Sequence, residues 1–193
     1  EGQMDVIRSY SVGIKNVIAL MGTSVTIEQA NLIKKLAPNI IICFDGDNAG
    51  SKATMACGNE LLKLDITPRV IRLKENLDPD EYIIKYGKES FEQEIENAIS
   101  FFDFKLNHMK EGINVHDNDD LSKYINNAIF ELSKIDDEIK RELTLRKLSK
   151  EFNISMETLD KKLKQYLEKK SVSTVNKPTN IKSNNKINKY QRF

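Results

Sequence analysis

The sequence of 193 residues contains no long uninterrupted apolar run. That leaves no visible transmembrane helix or signal peptide. It has no surplus of either charge: 30 Lys and Arg stand against 29 Asp and Glu, for a net charge of +1. Overall charge therefore does not point to nucleic acid, and the local distribution must decide. Cysteine is scarce. Cys43 and Cys57 fall inside a predicted strand and a predicted helix and read as reduced core residues of a cytosolic protein. Two isolated cysteines do not make a cysteine-type zinc site by themselves. Histidine is as scarce: His108 and His116 lie far in sequence from the acidic motifs and read as surface or structural groups. There is no internal repeat. What is present is 39% hydrophobic and 31% charged, the balance of a soluble globular protein with an exposed surface or tail. The length suits one domain, or one and a half.

The centre of the sequence is the stretch Ile40-Ile41-Ile42-Cys43-Phe44-Asp45-Gly46-Asp47-Asn48-Ala49-Gly50. Five apolar residues are short for a helix and right for a strand buried on both faces. Two carboxylates follow, with a glycine between them that lets the chain turn. Ligands of open α/β sheets sit outside the carboxyl ends of the strands, which is where Asp45 and Asp47 fall. Around this strand the pattern alternates. Met4 to Tyr10 begins a short helix, and Val17 to Met21 reads as a short strand. Thr26, with Gln29 three residues on, opens a helix carrying Ala30, Leu32, Ile33, Leu36 and Ala37. Asn48 to Leu64 is a long helix expected to turn Ala49, Ala53, Ala56, Leu61 and Leu64 to the sheet. Arg69 to Leu73 is a further strand. The order predicts a parallel α/β unit over residues 1–88.

Leu77-Asp78-Pro79-Asp80-Glu81 opens another helix, Gly87 breaks it, and Phe91 begins a helical region to about Glu111. Phe101, Phe102 and Phe104 read as core. After the polar loop Asn114 to Asp120, one apolar stripe runs through Leu121, Tyr124, Ile125, Ala128, Ile129 and Leu132. A second carries Ile139, Leu143, Leu145, Arg146 and Leu148, and a third, capped by Ser155, carries Leu159, Leu163 and Leu167. Residues 89–170 are thus expected to form an all-α subdomain. From Ser171 the chain is rich in Asn, Ser, Thr and Lys and reads as a disordered linker, 171–193, whose Lys177, Lys182, Lys186, Lys189 and Arg192 have at most weak contact with a phosphate backbone. At the other end, Glu1-Gly2-Gln3-Met4-Asp5 reads as the end of a strand turning into a helix with the strand itself missing, so a fragment is expected.

Three acidic groups therefore stand at strand or turn ends: Glu1 with Asp5, Asp45 with Asp47, and Asp78 with Asp80. Crowded carboxylates repel unless a cation offsets them. A hard dication such as Mg²⁺ does so with oxygen ligands, water and substrate phosphates. Each group also has a plain structural reading. Asp78, Pro79 and Glu81 have the spacing of a helix start, with Asp80 a first-turn acid. Asp45-Gly46-Asp47 has that of a turn capping the next helix. Lys52, Arg69, Arg72, Lys74 and Lys85 lie near the same edge and read first as solvated charge.

Glu1-Gly2 and Asp45-Gly46-Asp47 in this setting resemble the Toprim domain, shared by bacterial primases, type IA and type II topoisomerases, a nuclease family and recombination proteins. Glu1-Gly2-Gln3-Met4-Asp5-Val6-Ile7, Leu20-Met21-Gly22-Thr23-Ser24, Phe44-Asp45-Gly46-Asp47-Asn48-Ala49-Gly50, Leu77-Asp78-Pro79-Asp80-Glu81-Tyr82 and Tyr86-Gly87-Lys88-Glu89-Ser90-Phe91 resemble the bacterial replicative DNA primase family. The resemblance covers residues 1–110 clearly and those to about 170 more loosely. It implies a nucleotidyltransferase, a DNA-dependent RNA polymerase that makes short RNA primers from ribonucleoside triphosphates on single-stranded DNA. It implies Mg²⁺ or Mn²⁺ held by Glu1, Asp45, Asp47, Asp78 and Asp80, the first three being catalytic. Asp5 is implied as a ligand or as an orienter of one, and Gly22, Thr23 and Ser24 as a loop beside nucleotide phosphates. It further implies Zn²⁺ in an N-terminal region absent from this sequence, and a replicative helicase bound through a C-terminal domain also absent. A cytoplasmic, replisome-associated monomer with no membrane contact follows. The fragment is not expected to make primers alone. A Toprim topoisomerase or nuclease, a non-catalytic metal-binding scaffold and a helical interaction module are the competing readings.

Overall fold

The structure is a computed structural model that describes residues 2–22 and 25–175, with side chains described through residue 169. It divides into two compact units, Glu1–Asn114 and Val115–Phe193. Among the described residues no helix is long and apolar enough to cross a membrane.

The first unit runs α1 (Gln3–Ser11), α2 (Ile27–Leu36), β1 (Ile41–Phe44), α3 (Asn48–Leu62), β2 (Arg69–Arg72), a 3₁₀ turn (Lys74–Asn76), α4 (Pro79–Glu96), β3 (Ile99–Ser100) and α5 (Phe101–Lys110). β1 and β2 are parallel, with Ile41 opposite Arg69 and Phe44 opposite Arg72. Parallel neighbours need a long crossover, which α3 supplies. The side chains of β1 alternate between two apolar clusters. Ile42 and Phe44 join Ala53, Cys57, Leu61, Val70, Phe101 and Phe104. Ile41 and Cys43 pack against Ile71, Leu73, Tyr82, Ile83 and Phe91. The central strand is thus buried on both faces, as its unbroken apolar run requires.

Several expectations are corrected. The sheet is mixed, because β3 pairs antiparallel with β2, Arg69 opposite Ser100. The helical region expected from Phe91 is interrupted there: Ile99 and Ser100 find a ladder partner that local periodicity cannot reveal. Val17 to Met21 forms no strand. Leu20 packs on the first cluster while Ile18 is exposed, and the run has no ladder partner among the described residues. On α2, Leu32 and Leu36 face solvent and Ala30 is the residue buried. On α3, Ala49 and Ala56 are exposed, and the buried stripe runs through Gly50, Ala53, Thr54, Cys57, Gly58 and Leu61. Alanine is nearly indifferent to burial, so the larger residues set the helix rotation. The break at Gly87 is present inside α4 as a residue with φ 81° and ψ 171°.

The second unit is α6 (Asn118–Leu132), α7 (Glu138–Phe152) and α8 (Met156–Val175). Its core contains Tyr124, Ile125, Ala128, Ile129, Leu132, Leu145, Leu148, Leu159 and Leu163. Asn153 ends α7 in a left-handed conformation, φ 54°. Ser155 then accepts the Thr158 N–H at 3.3 Å, at the start of α8. Ile139 and Leu143, expected in the stripe, are 72% and 56% exposed. α8 continues to Val175, past the expected linker start at Ser171, since extending a formed helix adds a hydrogen bond per residue without a new nucleus. The rest of the expected linker, residues 176–193, lies outside the described residues.

Candidate functional site

The turn after β1 and the loop after β2 lie directly on one another. The Gly46 N–H donates to the Leu77 carbonyl at 3.0 Å. A Cβ on Gly46 would stand 2.5 Å from the Leu73 carbonyl oxygen and 3.0 Å from the Asn76 Cα. Only glycine tolerates that approach, and it brings the chain of Asp45 and Asp47 beside the chain leading into Asp78. The second loop is held in an unusual shape: Glu75 and Asn76 have φ of 59° and 57°. The Glu75 carboxylate accepts hydrogen bonds from Lys85 Nζ and the Tyr86 hydroxyl on α4. Those bonds, Lys85 foremost, lower its pKa.

Asp47 and Asp78 both cap helices. Asp47 Oδ1 accepts from the Gly50 N–H at 2.7 Å at the start of α3. Asp78 Oδ1 accepts from the Glu81 N–H at 2.7 Å, and Glu81 Oε2 accepts from the Asp78 N–H at 3.3 Å, with Pro79 in the first turn. Capping engages one carboxylate oxygen of each residue in these bonds, so the structural reading and the ligand reading do not exclude each other.

Asp5 and Asp80 are joined across α1 and α4. Asp5 is buried; its Oδ2 accepts from the Gly2 N–H at 2.8 Å and its Oδ1 from the Asp80 N–H at 3.3 Å. Arg8 Nε donates to Asp80 Oδ1 at 2.6 Å. Arg8 was not apparent in the sequence; its signal is its place three residues after Asp5 on the same helical face. The acids sense one another. Burial raises the Asp78 carboxyl pKa, the Glu81 N–H opposes this, and the charges of Glu81, Asp5 and Asp80 add to the rise. Burial pushes the Cys43 thiol up to about 12, with the charges of Asp5, Asp45 and Glu94 reinforcing it. Asp78 thus lies in the field of Asp5 and Asp80, and Cys43 of β1 in that of Asp5 and Asp45.

Among the described residues no three Asp, Glu, His or Cys side chains are arranged to hold one metal ion. Glu1 lies outside the described residues, as do Thr23 and Ser24. The donor chemistry present, carboxylate oxygens at strand and helix ends, fits a hard dication rather than a soft one. Gly22 is exposed in open space. Of the cations near this edge, Arg72 pairs with Glu111, Lys85 with Glu75, and Lys74 with Glu94 at 3.4 Å. Phe101, Phe102 and Phe104 are buried, as expected of core residues.

A family model described as Toprim-like matches residues 1–83. Another, described as the DnaB-helicase binding domain of primase, matches residues 102–157. That second match falls within the region expected to be all-α, residues 89–170. The DNA primase of Listeria innocua serovar 6a is 37% identical over 171 residues, which is 86% of this chain and 27% of that protein. The chain thus spans little more than a quarter of the length of this curated relative. The Aquifex aeolicus primase structure of zinc-binding and RNA polymerase domains aligns with a TM-score of 0.60 and 31% identity over 82% of this chain and 38% of that one. A structure of the DnaG primase catalytic domain bound to ssDNA aligns with a TM-score of 0.65 and 27% identity over 82% of this chain and 51% of that one. Both matched regions occur in one chain, with the acid-bearing turns brought together in the first: the chain belongs to the bacterial DnaG-type primase family.

Proposed function

We propose that the Glu1–Asn114 unit is the metal-binding part of a DNA primase, which joins ribonucleoside triphosphates into a short RNA primer on a single-stranded DNA template. The observation that carries this is the Gly46–Leu77 hydrogen bond at 3.0 Å, which sets the Asp45-Gly46-Asp47 turn against the loop that leads into Asp78. Asp45, Asp47 and Asp78 would hold Mg²⁺ or Mn²⁺, with Glu1 and Asp80 completing the acidic set. When bound, the dication lowers the pKa of an attacking hydroxyl and neutralises a triphosphate. Asp5 acts on the same set from behind, through the backbone of Asp80 and of Gly2. Gly22, Thr23 and Ser24 offer backbone N–H groups and hydroxyls to nucleotide phosphates. Residues 102–157 are the region proposed to meet the replicative helicase, in keeping with the description of the family they match.

The test is primer synthesis by the intact protein on single-stranded DNA with Mg²⁺. Asp45→Asn and Asp78→Asn variants that remain folded should lose at least about 100-fold of the activity, the scale of removing a charge that stabilises a developing anion. Asp78→Asn is the sharper case, because asparagine caps a helix about as well as aspartate. Full activity in that variant would remove Asp78 from the site.

A further inference from the structure

We propose that Arg8 is a positioning residue of the carboxylate site, fixing the side chain of Asp80 while Asp5 fixes its main chain. This rests on the metal-binding reading above. Two bonds hold residue 80, one at each level. The Asp80 N–H donates to Asp5 Oδ1 at 3.3 Å, and Arg8 Nε donates to Asp80 Oδ1 at 2.6 Å. Both partners come from α1, three residues apart and so on one face. The same Asp5 accepts from the Gly2 N–H at 2.8 Å. A continuous chain of bonds therefore runs from the residue next to Glu1, through Asp5, to Asp80 and Arg8. It ties the start of α1 to the start of α4, which carries Asp78 and Asp80.

The pair is partly buried and still open to screening by solvent. The side chains of Arg8 and Asp80 are 38% and 20% exposed. Ion pairs in such surroundings add little to folding. What a guanidinium adds is direction: a planar group places its Nε–H in one geometry, where a lysine ammonium swivels on a flexible stem. Carboxylates that ligate metals are commonly held by such outer hydrogen bonds, and losing one typically weakens metal binding 10- to 100-fold.

The experiment is a titration of the purified full chain with Mn²⁺, following free Mn²⁺ by its electron paramagnetic resonance signal, alongside thermal unfolding without metal. Arg8→Ala should weaken Mn²⁺ binding about 10- to 100-fold while its unfolding temperature stays close to that of the unsubstituted chain. Arg8→Lys, which keeps the charge and loses the planar donor, should recover only a small part. Arg8→Ala binding Mn²⁺ as well as the unsubstituted chain would overturn the proposal. Tighter binding would overturn it too, since Arg8 would then be a competitor for Asp80. Complete recovery by lysine would overturn the directional role and leave a purely electrostatic one. Failure of the underlying reading looks different: the unsubstituted chain would bind no Mn²⁺, Asp45→Asn would change nothing, and the role of Arg8 would fall with it.

Discussion

The Gly46 N–H reaches the Leu77 carbonyl at 3.0 Å, so the turn after β1 and the residue before Asp78 move as one piece. Nothing larger than glycine fits at this junction. A methyl group at position 46 would come within 2.5 Å of the Leu73 carbonyl oxygen, which is backbone and cannot rotate away. Gly46→Ala should therefore shift the two loops apart and destabilise the unit by about 1–3 kcal/mol, the usual cost of overpacking. Urea unfolding would show a lower midpoint at an unchanged slope. An unaltered midpoint would mean that the loops are not locked together.

The legibility of this site follows from the distance over which each feature acts. Asp45-Gly46-Asp47 at the end of an apolar run is a local pattern, and the structure places it at the end of β1. The cap at Asp78 is equally local, since donor and acceptor lie within one turn. The bond from Asp80 to Asp5 and the ion pair from Arg8 to Asp80 join residues far apart in sequence. No periodicity announces them. The same reason hid β3: Ile99 and Ser100 become a strand because Val70 and Arg69 offer them a ladder. It also explains Val17 to Met21, whose β-like composition goes unused where no partner strand is present among the described residues.

Gly87 supplies the second backbone prediction. Its φ of 81° and ψ of 171° lie in a region that only glycine enters at low cost. The residues on either side are held together regardless: the Tyr82 hydroxyl donates to Glu94 Oε1 at 2.8 Å, and the Tyr82 and Phe91 rings lie 6.0 Å apart. Gly87→Ala cannot straighten the helix without breaking these contacts. It should cost about 1–3 kcal/mol, seen as a lower unfolding temperature. A neutral or stabilising effect would show that the kink is not imposed by the packing around it.

The two thiols should be silent in the folded chain. Burial pushes Cys43 up to about 12 and Cys57 up to about 11. At pH 8 that leaves roughly one thiolate in ten thousand and one in a thousand, from the distance between pH and pKa. A disulfide reagent should find almost no reactive thiol at pH 8 in native protein and two after unfolding in urea. The linkage has a definite sign. A thiol whose folded pKa lies above its unfolded value contributes stability that is complete below about pH 8.5, the unfolded pKa, and is lost as pH rises toward the folded values. Alkaline unfolding should therefore steepen above about pH 9, and a Cys57→Ser variant should show part of that steepening removed. Rapid labelling of native protein would contradict both expectations.

The second unit offers a paired test on a single helix. Leu143 and Leu145 both belong to α7 and to one stripe expected from the sequence, yet Leu143 is 56% exposed and Leu145 is 3% exposed. Two residues of separation turn a side chain by about 200° around a helix, since each residue turns it by about 100°. Hydrophobicity alone cannot decide which of the two faces the core. Burial does decide the cost of losing each. Leu145→Ala should destabilise by about 2–5 kcal/mol, because it removes packed methyl groups and leaves a cavity. Leu143→Ala should stay within about 0.5 kcal/mol of the unsubstituted chain, as surface substitutions usually do. Ile139→Ala, at 72% exposure, should behave like Leu143→Ala. Chemical denaturation of the three variants measures all of this on one scale. Equal losses at positions 143 and 145 would mean that the exposed face of α7 is covered when the chain is in solution.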